Sequence, residues 1–424
     1  MKFRFLITLI LAALAIAATQ PAAAQVSAGA DTLEDGSIVF RYNEEEGKEL
    51  TVDEQISELN AKLNANPADG KSWNDLGVIY AQKEEYETAR DAFIRAVQCD
   101  PTNGDFHRNL GLTFSRLGMY EMAIAEFGQY RMNDQMGGID YWRLIGGAQR
   151  DAGMIDDART TYNEGIAAMP PELGAEGFKL VLALNRLEEE QANEQGARDL
   201  LQKYTEPARN FIEAYPEKEG EPPVEGLSEA RAIVHNRVGM MVDDAKLMEQ
   251  SGLDGEAAKL YREAYDLAPE RDDLLPRLVD VLIREDKVLD AGVAARLARA
   301  DHPDKAGTWI ATAKVHEQNR KYEEAVQAYE KAYEIEPMDD VRVAIGNLYM
   351  RLGDDKKAGE WLKAGVDAGD TKPEVVYNYA VSLIREKKYH AAIPSLKSVT
   401  AQRPDMVQAW IALGQCYHKT KQYS

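Results

Sequence analysis

The stretch Trp410-Ile411-Ala412-Leu413-Gly414-Gln415-Cys416-Tyr417 places an aromatic residue, Leu-Gly and Tyr three positions apart, and the same spacing stands near the other end of the chain as Trp73, Leu76-Gly77 and Tyr80. A pattern that returns constrains the fold more than composition does. Beyond Gly77 the unit is complete: Tyr86, Ala89, Phe93 and Ala96 follow at helical spacing, then Pro101, which cannot continue a helix. Two amphipathic stretches joined by a short polar turn predict an αα-hairpin.

Sliding by about 34 residues finds the pattern again. It returns as Leu110-Gly111, Phe114, Tyr120, Ala123 and Phe127, with Gln135 where proline is expected, and then as Trp142, Ile145-Gly146, Ala158, Tyr162 and Pro170. After a gap come Ala257, Tyr261, Ala264 and Pro269, then Leu278, Leu282, Ala291, Ala298 and Pro303. Trp309, Tyr322, Ala325, Tyr329, Ala332 and Pro337 make the next copy. Gly346, Tyr349, Ala358 and Leu362 follow with Asp370 in the proline place, and Ala380, Leu383, Tyr389, Ala392, Leu396 and Pro404 close the last whole copy. Small residues leave room for a neighbouring helix, and the aromatics fill what they leave. No single hairpin can bury its apolar stripe, so each must stack on the next.

In period and residue type the sequence resembles the tetratricopeptide (TPR) repeat family. The resemblance implies an all-α fold, an α-α superhelix or solenoid of helix-turn-helix repeats. It also implies a concave face, lined by the first helix of each repeat, of the kind that commonly binds a peptide or a partner helix.

The chain divides accordingly. Residues 1–24 have Lys2 and Arg4, an apolar run from Phe5 to Ala18, and Ala22 and Ala24 before Gln25. They read as a signal peptide cleaved after Ala24, which places the mature protein in the periplasm or outside the cell. Residues 25–50 read as a flexible leader. Residues 51–67 read as a capping helix opened by the Thr51/Glu54 pair. Three repeats fill 68–171 and five fill 238–406, while 407–424 is the first helix of an incomplete repeat. Between them, 172–237 is an irregular helical segment, read as two eroded repeats or as a dedicated insertion. A long helix from Leu227 to Gln250 straddles its end, with Met240, Met241 and Met248 expected in the core.

Net charge is −22, so no basic excess exists to neutralise phosphates, and nucleic acid is not an expected partner. No stretch beyond the leader is apolar for long enough to span a membrane, so no span is expected after cleavage. Cys99 and Cys416 lie beside core positions of their helices and read as buried free thiols. The six histidines are scattered, with no His-Glu-x-x-His pair and no cysteine pairs at metal-ligand spacing. Gly70-Lys71-Ser72 ends like a phosphate-binding loop, but Ala65 stands where the first glycine belongs. No catalytic residue, cofactor or metal is expected.

The inward residues of the first helices include Asn74, Val78, Gln82, Arg108, Asn109, Leu112, Arg116, Arg143, Gly147 and Arg150. Arg108, Arg116, Arg143 and Arg150 form a basic cluster in an acidic chain, suited to acidic side chains because guanidinium matches carboxylate in a two-pronged hydrogen bond. A second series has Asn347, Arg351, Tyr377, Asn378 and Arg385. A helix-dipole reading competes for part of this ladder. Arg116, Arg284, Arg351 and Arg385 share a place in the last turn of a first helix, where a cation gains about 0.3–1 kcal/mol. Arg108 and Arg143 stand away from that turn. The clamp by which chaperone-binding TPR proteins grip a terminal carboxylate is not matched, since only Asn109 agrees with it.

The expected function is a non-catalytic interaction scaffold of the periplasm or envelope that binds a protein or peptide with acidic segments on its concave face. Two alternatives stand beside it: the N-terminal part of a longer envelope machine, such as one for polysaccharide export, and an enzyme or carrier with a site in 172–237. The apolar edge left by Trp410, Leu413 and Tyr417 is expected to self-associate.

Overall fold

A computed structural model describes residues 51–133, 140–170, 173–217, 222–367 and 372–421. The segments read as a signal peptide and leader, like Gln135 and Asp370, lie outside the described residues. Among the described residues there are twenty helices and no strand. The chain forms two compact units, Met1–Ile233 and Val234–Ser424.

The first unit opens with α1 (Val52–Ala65), whose capping box is formed as the sequence predicts: the Thr51 hydroxyl accepts from the Glu54 N–H at 3.3 Å, and the Glu54 carboxylate from the Thr51 N–H at 2.9 Å. Leu59 and Leu63 of α1 pack on Leu76 and Ile79 of α2 (Gly70–Gln82), so α1 covers the outer face of the first hairpin. Gly70-Lys71-Ser72 is the first turn of α2, capped by Asp69, whose carboxylate accepts from the Ser72 N–H at 3.2 Å. It is a helix start. The hairpin closes with α3 (Tyr86–Cys99), and the second is α4 (Gly104–Arg116) with α5 (Tyr120–Asn133). The third is α6 (Tyr141–Asp151) with α7 (Ile155–Ala168). Then come α8 (Gly174–Glu190) and α9 (Glu194–Ala214), longer than the helices before them, packed on each other within the irregular segment. The α9 helix runs through Pro207, and α10 (Leu227–Gln250) contains the boundary between the units. Met241 is buried and Met240 and Met248 are half-buried.

The second unit continues with α11 (Asp254–Leu267), α12 (Leu274–Arg284), α13 (Val288–Asp301), α14 (Ala306–Gln318) and α15 (Tyr322–Ile335). It ends with α16 (Asp339–Leu352), α17 (Asp355–Asp367), α18 (Pro373–Arg385), α19 (Tyr389–Gln402) and α20 (Val407–Thr420). From α1 to α9 and from α11 to α20 helices pack on their neighbours in chain order, and successive first helices also touch, as α6 touches α8 and α12 touches α14. Each unit is therefore an α-α solenoid.

The register is set by the small residues. A Cβ added at Gly77 or Gly111 would come within 2.7 Å of the Phe93 or Phe127 ring, and one at Gly346 within 2.6 Å of Leu362. Gly146 stands against Tyr162 in the same way. Each partner lies sixteen residues on, in the second helix of the same hairpin. The thiols differ from expectation: Cys416 is buried, but Cys99, the last residue of α3, is exposed because the helix ends there. No described helix is long and apolar enough to cross a membrane.

Candidate functional site

In the first unit, α4, α6 and α8 lie side by side and, with the beginning of α10, enclose a groove of about 820 Å³. Its floor is apolar and small: Leu112 from α4, Leu144, Gly147 and Ala148 from α6, and Ala183 from α8. Gly147 holds a place open, since a Cβ there would have the Tyr162 hydroxyl 3.9 Å away as its nearest neighbour. Arg116, Arg143, Arg150, Lys179 and Arg186 stand around the floor, with Asp151 and Glu229 among them.

Nearly all of this charge is answered from within. Arg143 donates from Nε to Glu176 at 2.9 Å and lies 3.8 Å from Asp140. Lys179 binds Glu225 at 3.0 Å and lies 3.7 Å from the other Glu176 oxygen. Burial raises the Glu176 carboxyl above its usual range despite the two cations. Arg150 grips its neighbour Asp151 at 2.7 Å and Arg186 grips Glu190 at 2.9 Å. Arg116, in the last turn of α4, is exposed and has no ion-pair partner among the described residues.

The basic cluster expected from the sequence is thus corrected in its membership. Arg108 does not reach the groove. Only 2% exposed, it donates from Nε and Nη2 to Asp140 at 3.0 and 2.8 Å, and the other Asp140 oxygen accepts the Tyr130 hydroxyl at 2.6 Å. This buried triad ties α4, α5 and α6 together. Asn109, 1% exposed, donates to Asn74 at 2.9 Å and joins α4 to α2. Neither residue is available to a partner, because both are buried and held by neighbouring hairpins.

The second series is distributed over the second unit and works on the fold. Asn378 donates to Asn347 at 2.8 Å, repeating the asparagine pair of the first unit. Arg385 donates to the Met350 carbonyl at 2.9 Å, near the C-terminal end of α16 and not of its own helix α18. Arg351 lies over the Tyr322 ring, 5.6 Å from its centre, and Tyr377 is half-buried in the apolar core.

Sequence reasoning missed the far wall of the groove. Lys179, Ala183 and Arg186 repeat Arg143, Gly147 and Arg150 thirty-six residues on, a signal present in the segment where the larger pattern is eroded. Among the described residues no group of three or more His, Cys, Asp or Glu could hold a metal ion.

Family models described as TPR repeat or tetratricopeptide repeat match residues 77–118, 306–339 and 383–424. These segments are similar to tetratricopeptide repeats. One of them, 77–118, supplies Leu112, Ser115 and Arg116 to the groove. Over 116 residues, 27% of its length, the chain is 31% identical to the peroxisomal targeting signal receptor of Candida albicans, of which the match spans 19%. Among solved structures it is similar to YrrB, a TPR protein with an unusual peptide-binding site, at 19% identity over 39% of this chain and 87% of that one, with a TM-score of 0.35. Yeast Tom70 is similar at 13% identity over 88% of this chain and 92% of that one, with a TM-score of 0.38.

Proposed function

We propose that this protein is a non-catalytic interaction scaffold whose first unit receives a segment of another protein in the groove between α4, α6 and α8. The observation that carries the reading is the floor at Gly147, Ala148 and Ala183, which is small, apolar and open, and so suited to the apolar side chains of a bound segment. A carboxylate on that segment meets Arg116, the cation left without an ion-pair partner. The paired cations around it contribute little net attraction, so the partner needs one well-placed acidic residue more than a long acidic run. Residues 1–24 support an exported protein, with the partner in the periplasm or beyond the cell.

Gly147→Leu is the test, because it fills the groove at a place with room for a side chain. Capture of partners from envelope extracts by wild type and variant is compared at equal thermal stability. Loss of a captured protein in Gly147→Leu, with retention in a surface variant such as Arg90→Ala, supports the reading. Arg116→Ala is expected to weaken the same capture by no more than about fivefold, since an exposed pair is worth about 0–1 kcal/mol. Equal capture by the groove-filled variant sinks the proposal.

A further inference from the structure

In the second unit the outer face of α13 is apolar where its neighbours are polar. Leu289, Val293 and Leu297 are 87%, 44% and 59% exposed, and their spacing of four residues aligns them as one stripe about 12 Å long. The same places one repeat earlier hold Gly255, Lys259 and Glu263, and one repeat later Glu323, Gln327 and Lys331. The repeat does not ask for leucine there. Ala291, Ala295 and Ala298 are the buried residues of α13, which packs on both α12 and α14, so the stripe serves no contact between repeats.

The edge of the stripe toward α11 is acidic. Asp290 and Asp301 lie seven residues before and four residues after Leu297, on the same side of the helix. Burial, and then the carboxylates of Asp301, Asp266 and Asp272, raise the Tyr265 phenol of α11 above its ordinary value, which gathers three acids around one ring. None of the four aspartates has an ion-pair partner among the described residues. The other edge is mixed: Arg296 and Arg299 stand there, and Arg299 lies 5.3 Å over the Trp309 ring and lines a groove with Glu324, Lys331 and Glu334 of α15.

We infer that the outer face of α13 is a second docking site, and that its occupant is an amphipathic helix of another protein whose apolar stripe is bordered by Lys or Arg along the edge that meets Asp290 and Asp301. A second copy of the chain is a poor occupant. It brings together two chains of net charge −22 and buries only three large apolar side chains from each.

The probe is a synthetic amphipathic helix of about fifteen residues, with three leucines spaced by four and lysines along one edge of that stripe; a twin peptide has glutamates in place of the lysines. Fluorescence anisotropy measures the binding of each to the full chain. The lysine-edged peptide is expected to bind at least about tenfold more tightly than its twin, with an affinity that falls as salt is raised. Leu289→Ser combined with Leu297→Ser is expected to weaken it at least about tenfold at unchanged thermal midpoint, because both side chains are exposed in the folded chain. Gly147→Leu is expected to leave it unchanged, which separates this face from the groove of the first unit. Equal binding by wild type and the double leucine variant overturns the proposal, because a general attraction to the acidic surface then suffices. So do equal affinities for the two peptides or no binding of either, and so does a dimer in light scattering that the leucine substitutions dissolve, since a second copy then covers the face.

Discussion

Arg108 and Arg116 lie eight residues apart on α4, and the consequences of removing them are opposite. Truncating Arg108→Ala leaves the Asp140 carboxylate buried with its main counter-charge gone, a loss of about 3–5 kcal/mol. Arg116→Ala, at an exposed position, is expected to change stability by less than about 0.5 kcal/mol. Urea unfolding of the two variants measures the contrast. Burial on its own pushes the Asp140 carboxyl up, but the Arg108 charge, the Tyr130 hydroxyl and Arg143 together hold it below its ordinary value. Its contribution is therefore present at neutral pH and lost as pH falls through the lowered native value. His107 works with the other sign. The imidazole is 5% exposed, with Nδ1 2.6 Å from the Glu126 carboxylate and Nε2 3.0 Å from the Pro101 carbonyl, so both nitrogens face acceptors. The Glu126 hydrogen bond, helped by Pro101 and opposed by burial, raises its pKa. The stabilisation is complete below the unfolded value of about 6.5 and disappears as pH rises through the raised native one. The urea midpoint of the wild type should decline as pH rises above the unfolded value of about 6.5, and the decline should be weaker in His107→Gln.

At the scale of the helix pair, the glycine of each first helix decides how closely its partner approaches. Gly77→Ala and Gly111→Ala put a methyl group against a phenylalanine ring that is itself fully buried, and overpacking of this kind costs about 1–3 kcal/mol. Gly414→Ala has nothing to clash with and removes a helix-interior glycine, a gain of up to about 1 kcal/mol. Opposite shifts in thermal midpoint for one substitution at equivalent positions are the expected result, read by differential scanning calorimetry. Equal shifts would mean that contact with the following helix is not what the glycine serves. The sequence pattern announced the small residues and the aromatics. It also places Ala183 and Gly147 on equivalent faces of α6 and α8, but the missing Leu-Gly and proline markers around Glu172 to Arg237 hid that equivalence.

Across the whole molecule, the acidic excess of 72 Asp and Glu over 50 Lys and Arg supplies enough carboxylates to pair off the cations of a concave face. That is why a cluster of arginines in this chain is a weak sign of an anion site, and why the groove is better described by its apolar floor. The proposed setting makes a separate prediction: intact mass of the protein purified from its native host should show a chain that begins at Gln25. Retention of Met1 would remove the export proposal and with it the choice of envelope extracts as the source of partners.

The sequence by itself determined the hairpins, because helical periodicity, capping at Thr51 and Asp69, and the stops before prolines such as Pro101 and Pro303 are local effects. Leu112, Arg116, Arg143, Gly147 and Arg150, read from the sequence as inward residues, line the groove between α4, α6 and α8. Only the tertiary structure decided which of the charged residues remain for a partner. Arg108 is covered and held by an aspartate thirty-two residues away, Arg143 by a glutamate thirty-three residues away, while Arg116 is left exposed. Helix formation depends on neighbours along the chain, whereas the fate of a charge depends on what packs across from it, and that is fixed when the hairpins stack.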